Sequence, residues 1–525
     1  MPLTDLIVEM DLGDVLLDSQ GRQILDSQGR TCLDSGWVAV TGDTTSEPIH
    51  IRRGMFSADV KERVADTGSM SFSLNNGPSN SAGLIGYYSL DHANHRHGFG
   101  TGSQVRVNMK RTTNYYKFQG KVASVNIESG LLSAKRSSIT VLDWMDIAAR
   151  TPLPRMAVQQ NVRDDQAIQI ILDSIGEIPA ELSLAVGGQV YPYAFSDVRD
   201  GETKIMEVLN SLALSGLGRI FLRGGVTSGE VLVYMSIYDQ LDMSSPVAQF
   251  DNSMLKADAE RKAFQRIKRV ITRVYPMQVD ANLATLYTLS NSIRIPPNTS
   301  VSFTASYTDP ASPGSSIAAV DVQTPVVDND YKFSSSDGSG NDMNGDLVID
   351  QFDPGSSGAL VTFRNQGTRD GYLWMYTIRG LGLYAYDPLD YTAVDETIPE
   401  AEGGTLEYLL PYQISYNIAR DFGEAFLRWY KADVTNLPTI EFNGGQSDTA
   451  MDWAVELETG ALIEVIESVT GISRYYMVIG YDMDIHSRNN IPVTLYVVPT
   501  LPDAMFCKLD VVGRSELDTN AILGI

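Results

Sequence analysis

The sequence predicts a mainly β, multidomain protein: two small β-barrels, an α+β insert and a β-sandwich insert. Three observations carry that prediction. The chain has 525 residues, several times a usual domain. Short runs of period-two alternation end repeatedly at Gly, Asn, Asp and Ser, as strands between tight turns do. Helical periodicity is confined mainly to two stretches, near 160–216 and 418–429, so helices decorate sheets here rather than build the fold.

Residues 1–150 read as the first barrel. Met70-Ser71-Phe72-Ser73-Leu74 alternates and stops at Asn75-Asn76-Gly77-Pro78, a dense turn signal. Val105–Met109 alternates again, and Tyr116–Val122 follows across the turn-prone Thr112-Thr113-Asn114. Such strands suit a small barrel or sandwich. Leu-Asp-Ser-Gln-Gly-Arg occurs at 17–22 and again at 25–30, with a truncated copy at 33–35. Two full copies are too few for a repeat architecture, so the duplication is expected to lengthen one hairpin.

Residues 151–255 read as the α+β insert. Asp164 or Asp165 can cap a helix whose Ala167, Ile168, Ile171, Leu172 and Ile175 share a face, ending at Gly176. Ile205, Val208, Leu209 and Leu212 define a second helix ending near Gly216. Arg219–Leu222, Gly224-Gly225 and Val231–Tyr234 then predict a hairpin.

Residues 256–280 and 405–525 are assigned to the second barrel. Its first strand concentrates Arg266, Lys268, Arg269 and Arg273, and the expected role is a solvated strand face balancing local acids. The other reading is a contact for an acidic partner or nucleic acid. Ile418, Phe422, Ala425, Phe426 and Trp429 predict an amphipathic helix, and Tyr475–Tyr481 and Pro492–Pro499 predict closing strands. Between them, 281–404 reads as the sandwich, with Val301–Tyr307 alternating and Ala359–Phe363 forming a short apolar run. Ser334–Asp342 has the composition of a mobile loop.

Composition narrows function. Forty Lys+Arg against 65 Asp+Glu give a net charge of −25, which argues against gripping nucleic acid through its phosphates. Cys32 and Cys507 stand at opposite ends of the chain, where neither a disulfide framework nor a Cys-based metal site is suggested. The acidic start is unlike a secretory signal, and no apolar run approaches the length of a membrane span. A soluble protein without a signal is therefore expected.

Several clusters invite a site reading. His92, His95 and His97 lie in a Gly- and Asn-rich stretch; a polar loop is expected over a metal site, which needs converging nitrogens on a rigid frame. Asp342, Asn344 and Asp346 open like a calcium loop, but Leu347 and Asp353 stand where Gly and Glu are needed. Tyr372, Trp374, Tyr376, Tyr384 and Tyr386 could present rings to sugars, though such alternation more often makes cross-strand core pairs. No nucleophile elbow, phosphate loop, dinucleotide fingerprint or zinc-protease helix appears, and no carboxylate pair stands out. No catalytic, metal or cofactor-binding residue is assigned, no cofactor is expected, and a structural or binding role is expected over an enzyme.

Arg53-Gly54, Asp66–Asn76, Gly86-Tyr87-Tyr88-Ser89 and Gly100–Val107 together resemble the N-terminal module of minor tail proteins of long-tailed bacteriophages, the tail-hub or baseplate-hub proteins. The order of inserts and the closing strand module are similar too. The resemblance implies a virion structural protein of the tail tip, made in the host bacterial cytoplasm. It implies a homotrimer whose two barrels per chain alternate around a ring, joining the tail tube to the distal tip. Implied partners are tail-tube and distal tail proteins, the tape measure protein and central fibre or tip proteins, with DNA only in transit. A glycan-binding receptor protein is the alternative, and a polysaccharide-degrading enzyme a further one.

Overall fold

The computed structural model describes residues 2–15, 33–34, 36–130, 133–243, 245–260, 266–431 and 436–500. Strand accounts for 47% and helix for 15%, so the mainly β, multidomain architecture with inserts holds.

The centre is one 13-stranded sheet. Its path runs from the edge strand Lys256–Glu260 through Asn436–Asn443, Pro492–Pro499 and Ile472–Ile485, then through Ile49–Gly54, Asp66–Asn75, Arg136–Leu142, Tyr116–Ile127, Gln104–Lys110 and Asp5–Asp11 to Trp37–Ala39. Ala248–Phe250 and Leu462–Glu467 extend it beside Ile472–Ile485. Among the described residues the pairing path is open, with no closed ring of strands. The two halves expected as barrels are instead fused where Ile472–Ile485 pairs antiparallel with Ile49–Gly54, Gly480 facing Gly54 and Met483 facing Ile51. One core serves both halves, with Val8, Phe72, Val107 and Val141 in the same cluster as Ile440, Val465, Val478 and Leu495.

The fusion requires glycine. A side chain on Gly54, whose φ is +108°, would sit 2.4 Å from the Gly480 Cα, and one on Gly480 would sit 2.5 Å from the Met55 carbonyl. Contacts below 3 Å cannot be accommodated by backbone without movement, and positive φ disfavours any other residue.

The helix Asp164–Ser174 buries Ala167, Ile168, Ile171 and Leu172 against the helix Ile205–Gly216. Arg163, not an aspartate, occupies the N-cap, and Asp164 is the first helical residue. The hairpin Arg219–Arg223 and Val231–Met235 forms as expected, joined by a parallel strand Glu181–Leu184. The grouping of 256–280 with 405–525 differs in one respect. Arg266–Val274 pairs with Gly403–Leu410 and Leu389–Val394 in a separate three-stranded sheet, on which the helix Tyr416–Tyr430 lays Phe422, Phe426 and Trp429. Each such ring, fully buried, stabilises the unit by roughly 1.5–3 kcal/mol.

In the sandwich, Ser300–Ser306, Gly358–Asn365 and Leu347–Pro354 form one sheet facing the long strand Gly371–Ala385. Ser334–Asp342 is not a loop but most of a hairpin, Tyr331–Ser336 against Ser339–Asp342. Gly338 and Gly340 supply its positive φ angles, and the Ser334 hydroxyl donates to the Ser336 carbonyl at 2.5 Å; serine-rich composition here encodes a turn. No helix among the described residues is long and apolar enough to cross a membrane.

Candidate functional site

The 17–30 duplication, Cys32 and Cys507 lie outside the described residues. The segment holding the duplication is bracketed by an antiparallel pair, Asp14 with Asp34 and Val15 with Leu33.

The other sequence candidates disperse. His92 packs its ring on Gly86 and accepts from the Asn94 amide at 3.0 Å, while His95 Nε2 donates to the Phe99 carbonyl at 2.7 Å. Each ring is thus committed locally. Asp342 caps the Asn344 amide at 2.8 Å, and Asn344 accepts from the Phe333 amide at 2.6 Å and donates to Asp328 at 2.7 Å, so these oxygens shape a turn. The five aromatics divide. A register shift between Lys332 and Phe333, opposite Trp374, turns Tyr376 into the core beside Phe303 and Phe363 and leaves Trp374 partly exposed on the strand. Tyr384 donates to Asp280 at 3.2 Å, and Tyr386 donates to Gln278 at 3.1 Å. No continuous ring platform results. The basic strand is balanced by acids: Lys268 meets Glu400 at 2.9 Å and Arg273 meets Asp390 at 2.7 Å.

What the fold does bring together is a buried ionic junction where the two halves of the sheet meet the α+β insert. Arg53 is 1% exposed. It reaches inward at the Gly54 crossing and donates to Asp143 Oδ2 at 3.3 Å, the Gly229 carbonyl at 2.9 Å and the Lys117 carbonyl at 3.3 Å, with the Phe118 ring 4.4 Å away. Asp143 Oδ1 accepts from the Gly68 amide at 2.9 Å and the Met145 amide at 3.2 Å, capping the short helix Trp144–Arg150. Lys117 Nζ donates to the Val455 and Leu457 carbonyls at 3.1 and 2.6 Å, lies 3.0 Å from Glu458 Oε1 and faces the Tyr481 ring.

The electrostatics follow the burial. Desolvation lowers the Lys117 pKa against the pull of Glu458. Desolvation works the same way on Arg53, but Tyr481, Asp143 and Glu458 outweigh it and hold the guanidinium above its usual range. Burial lifts the Asp143 carboxyl against Arg53 and the two amides. Beside it, Glu230 accepts from the Trp144 amide at 3.1 Å and is pushed up to about 7, first by burial and then by the charge of Asp143.

Asp143 and Glu230 line the floor of a groove of about 740 Å³ between the first half of the sheet and the insert, bridged by Lys121 and Glu177 at 2.6 Å. A raised carboxyl beside a second one in a cleft is the pattern of an acid and base pair. Here both oxygens of Asp143 are already used by three donors, and its side chain is fully buried. The arrangement can hold segments together; it offers no free base at Asp143.

Sequence reasoning gave no member of this junction a role, although Arg53 and Gly54 stand among the residues that carry the resemblance. The available signal was weak: Lys117 precedes Phe118 in an alternating run, and Arg53 precedes a glycine at the end of Ile49–Arg53. Alternation with Ile49 and Ile51 puts Arg53 on the buried face, but nothing local names the partner that a buried charge there would need.

The molecule is thus a multi-module β protein whose buried charges serve as joints between modules. No family model and no curated protein matches the chain. The chain is similar to solved structures that include prophage tail proteins and a component of the E. coli type VI secretion system. It is similar over 94% of its length, and 96% of the other chain, to a tail protein from Neisseria meningitidis MC58, with a TM-score of 0.46 and 10% identity. It is similar to the 43 kDa tail protein of prophage MuSo2 from Shewanella oneidensis over 94% and 99% of the two chains, TM-score 0.47 and 10% identity. The prophage tail protein gp18 from Listeria monocytogenes is similar over 94% of each chain, TM-score 0.41 and 10% identity. At these scores the likeness carries no argument about activity or partners.

Proposed function

We propose that this chain is a non-catalytic structural subunit of a phage tail tip: a trimeric hub ring that joins the tail tube to distal tail proteins and leaves a passage for DNA. The observation that carries the reading is the fusion of the N-terminal and C-terminal strand modules into one 13-stranded sheet, with Lys117 bonded across to the Val455 and Leu457 carbonyls and Arg53 tying the first half to the insert at the Gly229 carbonyl. A plate so joined transmits load between its halves, as a ring subunit must, and the inserts hang from it. Of the two carboxyls lining the groove, Asp143 is occupied by the Arg53 guanidinium and the Gly68 and Met145 amides, which supports a structural role for it. A charge of −25 suits a wall past which DNA moves without adhering, since phosphates are held by cationic surfaces and repelled by anionic ones.

Light scattering and negative-stain averaging of the purified chain, alone and with neighbouring tail proteins, test the proposal. The expected result is a threefold ring with a central hole. A chain that stays monomeric even with those neighbours overturns it.

A further inference from the structure

The connection from Asn76 to Ser103 is long, yet firmly built. Tyr88, fully buried at its base, donates its hydroxyl to Asp43 Oδ2 at 2.5 Å and accepts from Arg96 at 2.9 Å. Asp43 also takes the Ser81 amide and hydroxyl at 2.5 and 2.6 Å. Asn76 accepts from the Tyr88 amide at 2.8 Å and donates to Ser89 at 2.7 Å. Gly98 lies so close to the Leu12 carbonyl that no side chain fits. Such bracing holds up a tip that stays open to solvent among the described residues: Leu84, Ile85 and Leu90 are 42%, 48% and 40% exposed. In a chain of charge −25, the connection contains a single acid, Asp91, alongside Arg96 and three histidines.

The other end of the sheet carries the opposite surface. The turn after Leu462–Glu467 raises Val469 to 90% exposure. It is shaped by Glu467, whose carboxylate accepts from the Val469 and Thr470 amides at 2.8 and 2.6 Å. Pairing of Ala248 with Ile463 and of Glu464 with Tyr475 puts Val247, Ile466 and Tyr475 on one outward face by strand alternation. All three are exposed. Asp251 and Glu464 share this face, while Glu467 and Arg474 alternate to the other.

The register places the two surfaces apart. Asp484 pairs with His50 and His50 with Ser71, while Gly480 pairs with Gly54. The tip therefore emerges beyond Asn75 past one end of this row, and Tyr475 lies past the other. Two different surfaces at opposite ends make a head-to-tail contact, the kind that closes rings.

We infer that the Leu84–Ile85–Leu90 tip of one copy docks on the Val247, Ile466, Val469 and Tyr475 patch of the next. Apolar contact at the centre and a neutral-to-basic loop against an acidic rim give complementarity between copies that each carry a charge of −25. This rests on the ring-subunit reading and names its contact.

Sedimentation velocity of the full chain over a range of concentrations, with Ile85→Asp and Val469→Asp, tests it. Both sites are exposed, so unchanged thermal melts are expected, with self-association weakened at least about tenfold by either variant. In a Cys32→Ser, Cys507→Ser background, copies carrying Ile85→Cys mixed with copies carrying Val469→Cys are expected to form a disulfide-linked pair absent from either alone. Variants that assemble like wild type, or a mixture that yields no such pair, overturn the contact while a wild-type ring still stands. A wild-type chain monomeric at every concentration overturns the contact, and the ring reading then turns on assembly with neighbouring tail proteins.

Discussion

Two buried cationic centres in this protein are built on opposite terms. At the first, Arg53 and Lys117 face Asp143 and Glu458, so charge is balanced and the joint is held by ions of both signs. At the second, Arg63 and Arg219, 3% and 7% exposed, meet between the connection after Gly54, the helix Ile205–Gly216 and the sheet carrying Tyr408. Arg63 donates to the Leu217 carbonyl at 3.2 Å, and Arg219 donates to Gln240 Oε1 at 3.2 Å and the Glu62 carbonyl at 3.4 Å. Among the described residues neither forms an ion pair with a carboxylate. Burial, then Arg63, lowers the Arg219 pKa to about 9, still protonated at neutral pH. The contrast teaches that burial alone does not make a charge a fastener: the first centre gains from its ions, whereas the second relies on neutral acceptors and bears the repulsion.

The strongest way to break that comparison is Asp143→Ala, which strands Arg53 in the interior. A loss on the order of 3–5 kcal/mol is expected from denaturant unfolding; a loss under about 1 kcal/mol would put the first centre on the footing of a surface pair.

Next comes pH. Glu230 is raised to about 7 from an ordinary 4.5, so the folded chain binds this proton more tightly than the unfolded one. Its contribution is fully present below the unfolded value and is lost as pH rises through the folded one. Over that window stability should fall by up to about 3 kcal/mol, and Glu230→Gln should remove that slope, leaving the variant more stable at pH 8. An unchanged slope in the variant would exclude Glu230 as its source.

Smaller still is Arg219→Met, which trades an unpaired ion for an apolar side chain. Its expected outcome lies between a loss of about 1 kcal/mol and a net gain, read by the same unfolding experiment, and a loss matching Asp143→Ala would erase the distinction. Arg273→Ala, at the exposed pair with Asp390, should leave the melting temperature unchanged by calorimetry.

Several strands and the three longer helices were legible from period and punctuation: Met70–Leu74, Ile205–Leu212 and Ile418–Trp429 each fall inside an element of the expected type. What was hidden is non-local. Nothing near Ile49–Gly54 announces a partner at 480–485, because register between distant strands depends on which faces fit, not on local pattern. The junction was equally hidden: Arg53 alternates in phase with the buried Ile49 and Ile51, but its partners Asp143 and Gly229 lie far along the chain. Ser334–Asp342 misled for a different reason: serine and glycine serve linkers and tight hairpins alike, and only side-chain bonds such as Ser334 to the Ser336 carbonyl separate the two.

The pairing of Ile51 with Met483 also sets an order in time. A ribosome releases the first half of the plate long before its partner strand exists, so the strand Ile49–Gly54 keeps one edge unpaired by its final neighbour while both inserts are being made. Contacts of such sequence separation form late, and the sandwich, whose buried core lies within residues 286–378, can fold before the plate is sealed. Completion of the subunit is thereby tied to completion of nearly the whole chain: a fragment truncated before 480 would carry an open strand edge at the site of its own central seam.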